Sequence, residues 1–503
     1  MEIAYVMAKE EVAFKKFGAL VNLEKRHGVH LGDAYNHRIA AAEFTATVGE
    51  EIESDLKTAL EQANFFSICC DGSTDVSIIE KELIYVKFIN TRGATENHIM
   101  GLRDISSADA NGLQATITAT FSELGITNFS RKLVGFCADG ASVNFGVKGG
   151  LVPKLKEDSH WLVSIHCLSH RLELSLKDAF RDTYFDTISE ILLWLHGVYG
   201  KSPKRFHGLK ALAEVMDEQV HKPARAEGTR WIQHKVKAAS VLVSGYPVFV
   251  THLEKLAQDE PGKQAAKIRG YVKIMKSFKY LSCLLAFVDL LVPIARLSVF
   301  LQGDATNLMM AKTSIDTTKK SLHSAANVHS EELTNLIQQT ESSEEKPVEF
   351  RGIHLSDVKT GVAFVQTQKV NFASRITTAL ENRFENLSSD PILQAVQLLD
   401  IKLWPQDDSS NDFGNDHVKM LYNHFSGLFE DRVGSLDDLM REWAELKQFV
   451  TANMNHLPGT AVMETLYSSY RSVYSRIIYV LSVLRLFQPP MLSLSGASAL
   501  CSK

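Results

Sequence analysis

The chain has 503 residues and a mass of 56.0 kDa, more than a single hydrophobic core accommodates, so two or three domains are expected. Hydrophobic residues at 45% and charged residues at 22% are ordinary globular values and exclude collagen, coiled-coil and disordered classes for the bulk of the chain. Lys and Arg number 54 against 59 Asp and Glu, a formal net charge of -5, which excludes a polybasic protein and confines any nucleic-acid surface to a local patch.

The first sixty residues read as helix. From Ala40 to Asn64, apolar residues recur near helical spacing (Ala42, Phe44, Val48, Ile52, Leu56, Leu60), with acids on the other face. The pattern then changes. Phe65 to Cys70 (FFSICC) is a short apolar run, followed by Asp71-Gly72-Ser73 as a turn. Leu83 to Ile89 is β-rich, Thr91-Arg92-Gly93 is a turn, and His98 to Leu102 is a third short run. Three consecutive strands in a meander are expected. Ser107-Ala108-Asp109 marks a helix start before Leu113 to Leu124. Leu133 to Ala138 (LVGFCA) is a further strand, followed at once by Asp139-Gly140. A helix is expected from Ala141 to Lys156, weakened by Gly146, Gly149 and Gly150, and Trp161 to His166 forms the next apolar run.

Past about Arg171 the strand signal disappears and helical patterns continue to the C-terminus. Ser324 to Lys346 and Pro405 to Asp416 read as exposed loops or linkers. Tyr280 to Leu301 is the most apolar segment. Asp289, Pro293 and Arg296 interrupt it, so a buried helical hairpin is expected rather than a membrane span. Six cysteines, two of them adjacent (Cys69, Cys70) and one at Cys501, form no disulfide framework and fit a reducing compartment. The N-terminus, MEIAYVMAKEEVAFKKF, carries charges where a signal peptide needs an unbroken apolar stretch.

Several residues could carry chemistry. Asp71 and Asp139 each follow a strand, and each precedes Gly and a small hydroxyl-bearing stretch, DGSTD and DGAS. Carboxylates at the ends of adjacent strands can hold hard divalent cations, which suits phosphodiester chemistry. Either motif alone is equally a turn after a strand. Cys167 and His170 form C-x-x-H, but no second pair sits at zinc spacing, so packing at a strand-to-helix junction is favoured. Arg230-Trp231 suits stacking on a base and holding a phosphate, or else a core tryptophan opening a helix. From Lys201 to Lys237 nine Lys/Arg, including Lys204, Arg205, Lys235 and Lys237, face four acids. That local excess is compatible with a nucleic-acid face, or with a solvated helix face.

In order, FFSICCDGSTD, LVGFCADGAS, HCLSHRLEL and TRW resemble the hAT superfamily of DNA transposases, and most closely the hAT-derived host proteins labelled zinc-finger-like. EKELIYVKFI, LSVFLQ and FGNDHVKMLYNHF fit the same group, so the resemblance covers nearly the whole chain. It implies an α/β plus all-α architecture: a ribonuclease-H-like core with a long helical insertion. The boundaries expected are a helical lead over 1–60, the first part of the core over 61–170, an all-helical insertion over 171–440, and C-terminal helices over 441–503 that are a remnant of the hAT dimerisation region.

By the resemblance, Asp71 and Asp139 match two of the three metal-binding acids of active members, Cys167 and His170 match the C-x-x-H signature, and Trp231 matches a tryptophan that stacks on a flipped base. Two departures stand out. No Cys/His pair precedes Cys69, so a BED-type zinc finger is not expected. The helix YSRIIYVLSVLRLFQPPMLS leads into LSGASALCSK and not into the E-R-x-F-S motif that holds the catalytic Glu, as in a truncated end. The expectation is a domesticated or degenerate hAT transposase without transposase activity, with DNA and other proteins as partners, an impaired homodimer, no membrane association, and nuclear localisation. Mg²⁺ or Mn²⁺ would be held weakly at Asp71 and Asp139. Two other readings are an active metal-dependent transposase, with Glu464 as the nearest replacement acid, and a helical protein-interaction scaffold without DNA binding.

Overall fold

Phe66, Ile68 and Cys70 are buried with neighbours on both sides, and this segment is the middle of a sheet. The computed structural model describes residues 1–74, 80–105, 107–226, 231–303, 308–341, 347–405, 412–429, 432–454 and 456–487; the side chains of Ser73, Thr74, Trp231 and Thr460 also lie outside the description. By contacts the described chain falls into two compact units. One comprises 1–165 and the segment from Leu398, the other His166–Gln397.

The first unit opens with three helices, α1 (Glu2–Lys9), α2 (Phe17–Arg26) and α3 (Arg38–Gln62). Ala4, Met7, Phe17, Val21 and Ala41 form a small core of their own. The meander follows as β1 (Phe66–Thr74), β2 (Glu80–Ile89) and β3 (Thr95–Asp104). Then come α4 (Ala110–Glu123), β4 (Leu133–Ala138), α5 (Ser142–Phe145), α6 (Leu151–Asp158) and β5 (Val163–His166). The strands form one mixed sheet in the order β3-β2-β1-β4-β5, with β1 antiparallel to β2 and parallel to β4.

Two local expectations are corrected here. Asp71-Gly72-Ser73 is strand and not turn. Leu83, Glu82 and Lys81 of β2 stand opposite these three residues, and ladder partners for their backbone groups outweigh the turn preference of Asp-Gly. The helix expected over 141–156 is broken into α5 and α6. A Cβ on Gly150 would lie 2.6 Å from the Gly146 backbone nitrogen, so the glycines permit a backbone contact that replaces helical turns. Elsewhere the N-cap of α4 is Asp109, whose carboxylate accepts from the backbone N–H of Asn111 and Gly112 at 2.9 and 2.8 Å.

Alternation along the strands sends Phe66, Ile68, Cys70, Ile84, Val86 and Phe88 into one core, with Leu56 and Leu60 of α3, Leu113, Ile117 and Phe121 of α4, and Leu151 and Leu155 of α6. The later segment of the same unit lies against the other face. It contains α19 (Asn415–His424), α20 (Ser426–Phe429), α21 (Leu436–Asn453), α22 (Gly459–Thr465) and α23 (Ser475–Leu484); α7 to α18 belong to the second unit. A Cβ on Gly135 of β4 would meet the Leu486 carbonyl at 3.4 Å, and the Phe65 ring lies 4.6 Å from that of Tyr479. Residues 398–440, expected in the insertion, thus pack with the sheet: helical periodicity shows a buried face without showing which core it joins. The expected end motif at 494–503 lies outside the described residues.

The second unit contains α7 (Leu168–Phe180), α8 (Tyr184–Gly200), α9 (Pro203–Val215), α10 (Trp231–Ser244), α11 (Tyr246–Asp259), α12 (Gly262–Met275), α13 (Phe278–Phe300), α14 (Leu308–Asn327), α15 (Glu331–Glu341), a hairpin of β6 (Glu349–Phe350) and β7 (Ile353–His354), α16 (Gly361–Phe384), α17 (Asn386–Ser389) and α18 (Pro391–Gln394). Of the stretch expected as loop from Ser324, most is helix, because Leu333 and Leu336 supply a buried stripe under a polar composition. Residues 342–346 and 406–411 of the two expected loops lie outside the description.

In place of the expected hairpin over 280–301, α13 is one helix that continues through Pro293. It is long and apolar enough to cross a membrane, and more than half of its apolar window is buried within the protein. Asp289 does not break it. Lys369 of α16, fully buried, donates to Asp289 Oδ2 at 3.1 Å and to the Val328 carbonyl at 2.8 Å, and lies 3.0 Å from His329 Nδ1. Removing one member leaves a buried charge unpaired, so Asp289→Ala should lower the unfolding free energy by about 3–5 kcal/mol. Urea denaturation measures this, and a loss below about 1 kcal/mol, the range of an exposed pair, would show that the pair does not pin α13 to α16.

Candidate metal site at the sheet end

Parallel pairing of β1 with β4 sets Cys69 opposite Cys137. Two residues further along each strand stand Asp71 and Asp139, so the register itself brings the two carboxylates side by side. Asp139 directly follows β4 and is held from behind: its Oδ1 accepts from Asn144 Nδ2 at 2.7 Å and from the Ala141 backbone N–H at 3.2 Å. Asn144 is buried, and its own Oδ1 has no hydrogen-bond partner among the described residues.

A third acid stands at the same end of the sheet. Glu82 faces Gly72 across the β1–β2 ladder, and a Cβ on Gly72 would meet its Oε2 at 3.2 Å. Its side chain is therefore on the face of Cys70 and Ile84, whereas alternation puts Asp71 on the other. Sequence reasoning overlooked Glu82. The signal was there in EKELIYVKFI, a charge at a position in phase with the core residues Ile84, Val86 and Phe88.

The charges feel one another. Burial, followed by the negative field of Asp139, pushes the Asp71 carboxyl up to about 6. Burial, then Asp71 and then Asp139, pushes Glu82 up to about 8. The buried Cys70 thiol is raised by desolvation first and then by Glu82, Cys69 and Asp71. The two aspartates offer oxygen donors only, which suits a hard cation such as Mg²⁺ or Mn²⁺. Among the described residues no three His, Cys, Asp or Glu side chains converge closely enough to cage a metal. The donors among the described residues fit one ion completed by water.

Glu464 is not the missing acid. Gly93, in the β2–β3 turn, approaches Glu464 so closely that a Cβ there would lie 2.9 Å from its carbonyl. β2 runs six residues from the Asp71 partner Leu83 to Ile89 before that turn, so at ~3.3 Å per residue the turn lies at least about 20 Å along the sheet. The Glu464 side chain acts on Arg485, whose charge it favours against burial.

The other expected residues are in the helical unit. Cys167 caps α7 and carries no disulfide, and the rings of His166 and His170 are 5.5 Å apart. Arg230 and the Trp231 side chain lie outside the described residues. Arg205 is paired to Glu260 at 2.6 Å, and the Lys235 ammonium sits 5.2 Å from the centre of the Phe180 ring. Both have structural employment. Lys204 and Lys237 are exposed.

The two raised carboxyls have a consequence for stability. Each folded carboxyl binds its proton more tightly than the unfolded one, so each contributes most below its ordinary pKa of 3.8 (Asp71) or 4.5 (Glu82). The contribution is lost as pH rises through about 6 for Asp71 and about 8 for Glu82. Glu82→Gln should therefore flatten the fall in the urea midpoint from pH 5 to pH 9 and raise the midpoint at pH 9; an unchanged pH profile would place Glu82 in contact with solvent or a cation.

A family model described as DUF4371: ZMYM1/FAM200, RNase-like domain, matches residues 33–148. The match takes in β1 to β4 with both aspartates, and it fits a hAT-derived, domesticated transposase-like family. No solved structure matches the chain. An RNase-like domain family of this kind, on a mixed five-stranded sheet, suggests a transposase-derived protein.

Proposed function

We propose that this chain is a degenerate hAT transposase whose α/β unit is a ribonuclease-H-like core, that it binds nucleic acid, and that it does not cleave or join DNA ends. The observation that carries the reading is the approach of Asp71 to Asp139, each two residues beyond the paired Cys69 and Cys137, at the end of a sheet whose first three strands form a meander. The RNase-like family match over the same residues supports it.

Asp71 and Asp139 would hold a divalent ion, with Asn144 orienting Asp139. A divalent ion bound there would polarise a phosphoryl oxygen and offset negative charge. The chain's own part is to present two oxygen ligands. Glu82 belongs to the opposite face of the sheet and Glu464 to its far end, so neither supplies a third ligand beside the aspartates. Strand transfer needs both the attacking and the leaving oxygen held in line. Two ligands leave most of an octahedral shell to water and do not fix that geometry.

Nucleic-acid binding rests on a local excess of positive charge in a chain of net charge -5. Among the described cations of the expected set, Lys204 and Lys237 are exposed. Binding to a duplex should weaken steeply with salt, and removing one phosphate-contacting lysine should lower the slope by about 1. Lys204→Gln and Lys237→Gln test this by fluorescence anisotropy across a salt series. Salt-independent or undetectable binding favours the protein-interaction scaffold. An end-cleavage assay on hAT-type terminal repeats with Mg²⁺ or Mn²⁺ should show no product; nicking that disappears in Asp71→Ala would restore the active-transposase reading.

A further inference from the structure

A cleft of about 560 Å³ opens in the α/β unit at the end of the sheet away from Asp71, between the end of α3, the β2–β3 turn and the α22–α23 region. Its volume is in the range of small-molecule sites. Two arginines line it, each placed over a tyrosine ring. The Arg432 guanidinium carbon is 5.5 Å from the centre of the Tyr479 ring, and that of Arg471 is 5.8 Å from the centre of Tyr467. A guanidinium fixed on a ring keeps its other face for stacking and its edge N–H groups for a phosphate.

The surroundings hold these groups in place. Arg432 Nη1 donates to Asn64 Oδ1 at 2.9 Å, and Asn64 Nδ2 donates to the Tyr467 hydroxyl at 3.4 Å. Ser472 and Ser475 add exposed hydroxyls to the lining. Among the described lining residues, Glu96 is the single carboxylate. It already accepts from Asn90 Nδ2 at 2.6 Å and contacts His98 Nε2 at 2.9 Å, so its charge is engaged within the β2–β3 turn.

A second observation concerns charge. Lys132 donates to the carbonyls of Leu60 and Glu61 at 3.2 and 2.7 Å, beside the cleft. Its ammonium is lowered by burial first and, against the pull of Glu61, by the approach of Arg432.

We propose that this cleft binds a nucleotide, with the phosphate on the edges of Arg432 and Arg471 and the base against a guanidinium plane. The ligand chemistry is a phosphate carried on a planar heteroaromatic group. A free nucleoside monophosphate and the 5′-terminal nucleotide of a single strand both present it. The cleft is separate from the aspartate pair, and a failure of the metal reading leaves it untouched.

The test is isothermal titration of the full chain in EDTA, which removes any cation from Asp71 and Asp139. Adenosine 5′-monophosphate should bind at least tenfold more tightly than adenosine or inorganic phosphate. Arg471→Gln should weaken that binding at least tenfold, and Arg471→Lys should recover part of it. Ser475→Asp, which places a carboxylate in the lining, should abolish it. Arg471 and Ser475 are exposed, so thermal midpoints should not move. A 5′-phosphorylated single strand that binds more tightly than the monophosphate identifies a strand end as the ligand; the reverse order identifies a free nucleotide. The proposal is overturned if the monophosphate binds no better than adenosine and phosphate, or if Arg471→Gln and Ser475→Asp bind it like the parent.

Discussion

Everything at the sheet end depends on β1 having a partner on each side. Its antiparallel ladder with β2 carries the strand past Cys70 as far as Thr74, and its parallel ladder with β4 sets Cys69 against Cys137. Antiparallel partners can be joined by a turn, as β2 and β3 are; the parallel partner of β1 is reached only after β2, β3 and α4 have been laid down. The apolar character of Phe66, Ile68 and Cys70 follows from that central position. So does the meeting of Asp71 and Asp139, which are 68 residues apart in the chain.

The cost of this arrangement is visible in the acids themselves. Asp71, Asp139 and Glu82 share one end of the sheet, and burial with mutual repulsion raises two of them well above ordinary carboxylates. Protons, a divalent ion or a neighbouring cation can each relieve such a cluster. At the opposite end of the sheet Arg432 and Arg471 line a cleft, with one carboxylate, Glu96, among the described lining residues. In a chain with net charge of only -5, the described side chains thus set acids at one end of the sheet and two arginines at the other.

Much of the α/β region was legible because its strands are short apolar runs closed by turns. FFSICC, LIYVKFI, LVGFCA and WLVSIH all lie within or across observed strands, and Asp109 opens α4 as its capping chemistry suggests. What was misread had a tertiary cause. Asp71-Gly72-Ser73 resembles a turn until β2 supplies its ladder partners. Pro293 and Asp289 look like helix breakers until Lys369 pairs with the aspartate from another helix. Glu82 is overlooked when the β-rich run is read from Leu83, although the ladder extends past it and it is buried. Residues 398–440 read only as amphipathic helix, and the choice of core was made by aromatic contacts such as Phe65 with Phe429. Neither β6 nor β7, at two residues each, is long enough to leave a periodic signal.

The central claim is that, among the described residues, two aspartates meet at the sheet end without a third carboxylate on their face. Mn²⁺ titration of the full chain, followed by electron paramagnetic resonance, addresses it directly. The account predicts a single weakly held ion that is lost in Asp71→Asn and retained in Glu82→Gln. Two ions bound together with the spin coupling of a pair about 4 Å apart, or binding that depends on Glu82, would contradict it.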